Sequence, residues 1–152
     1  HLESMNSSIY KKPEIDSWNA TADLEDAHQL DKHSFVKCVV SEENKILFCF
    51  RRSPSFSAFE RNKNYIKKIL GLIAYKRNVI ERISCLTQSY IEKEESIEQL
   101  RLLLNGYNLY AVPVQPSLPS VNEDGDEKKV IELLEKNQRQ INLIDSVLNF
   151  KP

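Results

Sequence analysis

A stretch from about residue 57 to 105 contains no proline and one internal glycine, Gly71, and its apolar residues return at helical spacing. An unbroken helix over that stretch would reach roughly 70 Å, well beyond the width of a compact domain this size. Such a helix must fold back on itself or find a partner. Ile66, Ile69, Ile73, Ile80 and Ile83 fall on a heptad seam, and Leu72, Val79, Leu86 and Leu100 lie beside it. The apolar face is wider than a two-in-seven stripe, which favours a bundle over a simple dimeric coiled coil. Gly106 stands where a helix C-terminal glycine belongs. Gly71 costs a helix interior about 1 kcal/mol against alanine and marks a close helix contact or a break.

The segments around this run have other signatures. Residues 34–40 and 46–52 are rich in β-branched and aromatic side chains and are separated by Ser41-Glu-Glu-Asn-Lys45, the pattern of a β-hairpin. Folded about that loop, Val40 faces Ile46, Cys38 faces Phe48 and Val36 faces Phe50. Pro113, Pro116 and Pro119 forbid helix and favour an extended spacer over residues 107–125. Residues 126–149 place Val130, Ile131, Leu134, Ile141, Ile144, Val147 and Leu148 on one face of a last helix.

The expected fold is therefore mainly α, with the long amphipathic helix and the C-terminal helix in an antiparallel bundle or coiled-coil arrangement. A small N-terminal β-hairpin is the minor component. In domain terms, residues 1–4 precede the only methionine, Met5, and read as a cloning remnant. Residues 5–33 form an acidic arm with room for a short helix, 34–52 the hairpin, 53–106 the long helix, 107–125 the linker and 126–149 the last helix.

Composition bears on function mainly through glycine. The chain has three glycines in 152 residues, where ordinary usage would give about ten. Phosphate cradles and nucleophile elbows draw on glycine's backbone freedom, so their scarcity argues against an enzyme. No nucleophile, base and orienting acid come together in the sequence. His28, His33 and Cys38 recur at five-residue intervals, which matches no zinc-ligand spacing. Cys38, Cys49 and Cys85 lack paired spacing and read as reduced thiols of an intracellular protein, cytoplasmic or nuclear. No stretch is long and apolar enough to insert in a membrane. No catalytic residue, metal or cofactor is expected.

These features suggest a non-enzymatic interaction subunit or adaptor of a multiprotein assembly, bound to another protein chain, either a second copy or a different one. The expected interface is Ile66, Ile69, Leu72, Ile73, Val79, Ile80, Ile83 and Leu86. The alternative is a nucleic-acid-binding accessory factor. Residues 51–82 hold nine basic side chains against two acidic ones, and Arg61, Lys63, Lys67, Lys68, Lys76 and Arg77 would meet phosphates on the face opposite the isoleucines. The segment Arg51-Arg52-Ser53-Pro54 also makes Ser53 a candidate phosphosite, where nearby arginines and a helix N-terminus would favour the added charge.

Overall fold

The computed structural model describes residues 1–52, 62–117 and 119–149. The expectations for Ser53 and Arg61 concern residues outside that set. The chain divides into two units, residues 1–117 and 118–152.

The first unit is built on a five-stranded mixed sheet, not on a helical bundle. Helix α1 (Leu2–Lys11) leads into β1 (Ser17–Asp23), and α2 (Ala27–Asp31) leads into β2 (Lys37–Val40) and β3 (Ile46–Phe50). Within the long apolar run, a strand, β4 (Ile66–Tyr75), is followed by three short helices, α3 (Arg77–Ile83), α4 (Tyr90–Glu95) and α5 (Gln99–Leu104). Strand β5 (Leu109–Pro113) closes the unit within the stretch read as a spacer. The strand order is β3-β2-β4-β1-β5. All pairings are antiparallel except β1 with β5, which run parallel.

The mainly helical expectation fails at β4 for a physical reason. A sheet covered on both faces needs apolar side chains at successive positions, so the run loses its two-residue alternation and mimics a wide helical face. Strand geometry separates the supposed seam. Ile69 and Ile73 pack with the cluster around Cys38, Val79, Leu100 and Leu109, beneath α4 and α5. Leu70, Leu72 and Ala74 pack with Met5, Trp18 and Val112, beneath α1. Ile66 joins Leu24, Leu30 and Phe50 in a third cluster beside α2.

Local signals end the helical run where the structure breaks it. Ser89 caps α4, its hydroxyl accepting from the Glu92 N–H at 3.2 Å. Ser96 ends that helix in the left-handed region, at φ 52°. Helix α5 ends in a Schellman turn, with Tyr107 N–H donating to Leu102 O and Gly106 N–H to Leu103 O. Gly106, at φ 78°, supplies the left-handed residue that turn requires.

The β2–β3 register also differs from the simple hairpin. Lys37 pairs with Phe50, Cys38 with Cys49, Val39 with Phe48 and Val40 with Ile46, leaving Leu47 as an extra residue on β3. That bulge shifts every pair beyond it by one position. Asn44, at φ 62°, makes the turn, and its carbonyl accepts from the Ala111 N–H of β5 at 2.8 Å. Lys45 forms a bridge to Tyr110, so the turn between β2 and β3 reaches the opposite edge strand.

The second unit contains α6 (Asp126–Lys136) and α7 (Gln138–Leu148), which contact each other. Asn137 interrupts what the sequence suggests is one helix, and its side chain caps α7 by accepting from Gln140 N–H at 3.2 Å. Neither helix has a buried residue.

Candidate functional site

The site grows from an irregularity in the centre of the sheet. Asn19 pairs with Ile73 and Thr21 with Ile69, so Ala20 alone faces the three residues Leu70, Gly71 and Leu72. Such a bulge leaves backbone carbonyls without ladder partners, a costly state in a buried sheet. The fully buried side chain of Asn19 fills the gap. Its amide nitrogen donates to Leu70 O at 2.9 Å, Ala20 O at 3.0 Å and Leu72 O at 3.4 Å. Because carbonyls only accept, this fixes the orientation of the amide and turns its oxygen outward. Gln99, the first residue of α5, donates its own amide to that oxygen at 3.0 Å.

The bulge thus seats α5, and α5 holds a second polar assembly. Glu92 of α4 is 3% exposed and receives the Arg101 guanidinium in a fork. Nε lies 2.9 Å from Oε2 and 3.1 Å from Oε1, and Nη2 also donates to Oε1. The hydrogen bonds from Arg101 hold the Glu92 carboxyl below its usual range, against the opposing effect of burial. These same bonds raise Arg101. Gln88, Glu92, Lys93, Ser96, Ile97, Glu98 and Arg101 line an open depression of about 370 Å³. Beside it, burial raises the Tyr75 hydroxyl above its usual range, Glu98 adds to this and Arg101 opposes it.

A third assembly ties the end of β3 to these helices. The Arg51 guanidinium donates to Glu95 O at 2.8 Å, His33 O at 3.2 Å and Ser96 O at 3.3 Å, and its backbone N–H donates to Glu95 Oε2 at 2.9 Å. Lys37 is fully buried; its ammonium donates to Lys32 O at 2.8 Å and also to Arg51 O. Burial lowers the Lys37 pKa to about 8, Asp31 and Glu95 working against the shift and Arg51 with it.

The residues singled out from the sequence do not form one surface. Ile66 and Val79 are buried, Leu86 is half-buried, and Ile69, Leu72, Ile73 and Ile83 pack against the clusters. Ile80 is 51% exposed. The basic residues scatter as well. Lys67 pairs with Asp23 at 2.6 Å, Lys68 lies 3.9 Å over the Phe35 ring, and Arg77 pairs with Glu81 at 3.0 Å. Lys76 precedes α3 and Lys63 lies in the turn before β4. Strand alternation sends Lys67 and Lys68 to opposite faces, so the described residues of this set form no continuous basic helix face. Asn19, Glu92, Gln99 and Arg101 escape the sequence reading. Ser89-Tyr-Ile-Glu92 is a capping-box spacing that could have revealed the start of α4; nothing local announces Asn19 with Gln99.

Among the described residues, no group of three or more His, Cys, Asp or Glu converges to hold a metal ion. No helix among them is long and apolar enough to cross a membrane.

A mixed sheet with helices packed on both faces is the frame of an α/β domain. Comparison with known proteins makes this specific. Residues 1–114 match the family described as Cytidylyltransferase, and the chain belongs to that family. It is 34% identical over 116 residues to the 3-deoxy-manno-octulosonate cytidylyltransferase of Chlorobium limicola, covering 74% of this chain and 46% of that protein. It is 28% identical over 133 residues to the protein of the same name from Chlamydia abortus, covering 88% and 52%. The solved structure of CMP:2-keto-3-deoxy-manno-octonic acid synthetase complexed with CTP superposes with a TM-score of 0.77 at 28% identity, covering 89% of this chain and 55% of that one. The chain spans about half the length of the relatives it matches. Membership of an enzyme family overturns the expectation of a non-enzymatic adaptor, just as the sheet overturns the helical bundle. The scarcity of glycine, read as an argument against phosphate cradles and nucleophile elbows, therefore did not exclude an enzyme.

Proposed function

We propose that this chain is the acceptor-sugar portion of a cytidylyltransferase acting on a 3-deoxy-octulosonate-type sugar acid. In that reaction an acceptor hydroxyl displaces pyrophosphate from CTP and takes the cytidylyl group. The family match over residues 1–114 supports the reaction class. The depression between α4 and α5 carries the assignment to the acceptor.

Its lining includes two carboxylates, Glu92 and Glu98, with two cations, Lys93 and Arg101. These four charges cancel, so the depression offers a triphosphate no net attraction, whereas sugar hydroxyls donate readily to its carboxylates. Glu92 and Arg101 are committed to each other, so they act as a rigid wall. Glu98 is exposed on the rim and accepts hydroxyls; Lys93, also exposed, attracts the carboxylate of the acid. Asn19 and Gln99 hold α5 in place from below. A reaction that consumes CTP belongs where CTP is made, which supports an intracellular location.

Saturation-transfer NMR on this chain, with 3-deoxy-manno-octulosonate and CTP as separate ligands in magnesium-containing buffer, tests the assignment. The sugar acid should receive saturation, and Glu98→Gln should weaken that signal. Transfer to CTP alone, with none to the sugar acid, would overturn it.

A further inference from the structure

The β2–β3 pair contains an arrangement that the proposed transfer reaction does not use. Cys38 and Cys49 stand directly opposite each other on these strands. The hydrogen-bond pattern identifies which kind of pair they form. Val40 N–H donates to Tyr65 O and Ile69 N–H donates to Val36 O, each at 2.8 Å. The even-numbered residues of β2 therefore direct their backbone groups toward β4, and the odd-numbered ones direct theirs toward β3. Cys38 and Cys49 are thus a non-hydrogen-bonded pair, the type in which Cα atoms approach to about 4.5 Å and side chains lie closest. That separation falls inside the range a disulfide spans, about 4.4–6.8 Å. Both side chains are fully buried in one apolar cluster, on the same face.

We propose that Cys38 and Cys49 are a latent cross-strand disulfide, closed by a small oxidised disulfide such as glutathione disulfide when the edge strand β3 opens. The inference does not depend on the reading of the depression. Among the described residues, strand β3 has a ladder partner on one side only, β2, and a strand so placed opens more readily than a central one. Opening exposes Cys49, whose thiolate attacks the small disulfide. A mixed disulfide forms at Cys49 and one glutathione thiolate leaves. The Cys38 thiolate then attacks the Cys49 sulfur, the mixed bond breaks, and a second glutathione thiolate leaves. The two protons lost by the cysteines end on the two glutathione thiols, so the protein is oxidised by two electrons and the small disulfide is reduced by two. A glutathionyl group does not fit in the closed cluster, which drives the second step over persistence of the mixed species.

In the closed sheet these thiols are unreactive. Burial, reinforced by Cys49, raises Cys38 well above its ordinary value, and burial with Glu98 pushes Cys49 up to about 12. Closure is therefore gated by strand opening, which exposes the Cys49 thiol. The bond locks the strand that leads into Arg51, the residue holding the end of α4 and the turn before α5.

The test is oxidation of the intact chain with glutathione disulfide, from plain buffer through sub-denaturing urea, followed by alkylation under denaturing, non-reducing conditions. The expected product yields a peptide cross-link between Cys38 and Cys49 and leaves only Cys85 outside it, alkylated or carrying glutathione. Amide exchange in β3 should slow by about tenfold or more. Cys85 is exposed, so Cys85→Ser should leave the cross-link intact and no thiol to alkylate. If Cys38 and Cys49 both remain alkylatable at every urea concentration, or if cross-links involve Cys85, the proposal is wrong.

Discussion

Gln99, at the start of α5, donates its side-chain amide to Asn19, in the middle of β1, at 3.0 Å across a sequence separation of 80 residues. This single bond joins the central bulge of the sheet to the helix that borders the depression.

Replacement of Asn19 should be costly in a graded way. Asn19→Ala leaves the Leu70 and Ala20 carbonyls without their donor inside the sheet, at about 1–3 kcal/mol for each unsatisfied group. Asn19→Asp should cost more, because a carboxylate would confront those carbonyls with no proton to offer. Urea unfolding of both variants checks the order, and a more stable Asp variant would refute this account of the bulge.

The Glu92–Arg101 fork predicts a specific acid sensitivity. Glu92 is held below its unfolded value, so its contribution is present above that value and is lost as pH falls through the lower folded one. Solvent in the open depression screens the pair, so Glu92→Gln should cost about 1.5–3 kcal/mol near neutrality, the range for hydrogen bonds to charged groups. Chemical unfolding between neutral and acidic pH should show the two proteins converging in stability at the acidic end.

Lys37 predicts the opposite limb. Its folded value of about 8 lies below the ordinary 10.5. Between those values the unfolded chain holds more protons than the folded one, so this residue makes stability rise with pH. Lys37→Met should remove that rise while leaving the acid limb unchanged. Paired unfolding curves at several alkaline pH values provide the measurement.

Arg51→Met should loosen the junction between α4 and α5 without dismantling the sheet. The backbone carbonyls of Glu95 and Ser96 lose a charged donor, at about 1.5–3 kcal/mol. Hydrogen exchange should quicken first at residues 95–99, ahead of β1 and β4. Uniform acceleration across all strands would contradict a local role.

What the sequence discloses follows from the range over which each signal acts. The turn glycine Gly106 and the β-branched runs of β2 and β3 are local, and they are readable as a helix stop and paired strands. The register of that pair is not readable, because Leu47 looks like any other apolar strand residue and only the folded ladder makes it a bulge. Strand β4 is the main casualty. Spacings of three and four between Ile66, Ile69 and Ile73 fit a helix face as well as they fit a strand buried on both sides. Gly71, counted as a helix defect, lies within the bulge opposite Ala20. The candidate site is harder still, since Asn19 and Gln99 become partners only through the sheet order.

The place of β1 in that order has a consequence for how the molecule comes into being. It precedes the other four strands of the sheet in the chain, yet its two neighbours lie at Ile66–Tyr75 and Leu109–Pro113. A nascent chain must carry Trp18 and its surroundings uncovered until nearly the whole unit has left the ribosome. Assembly is then slow and dominated by distant contacts, as expected where loop closure precedes any reward from pairing. Until β4 emerges β1 presents two bare edges, and until β5 emerges one, and the cell's chaperones should find their target there.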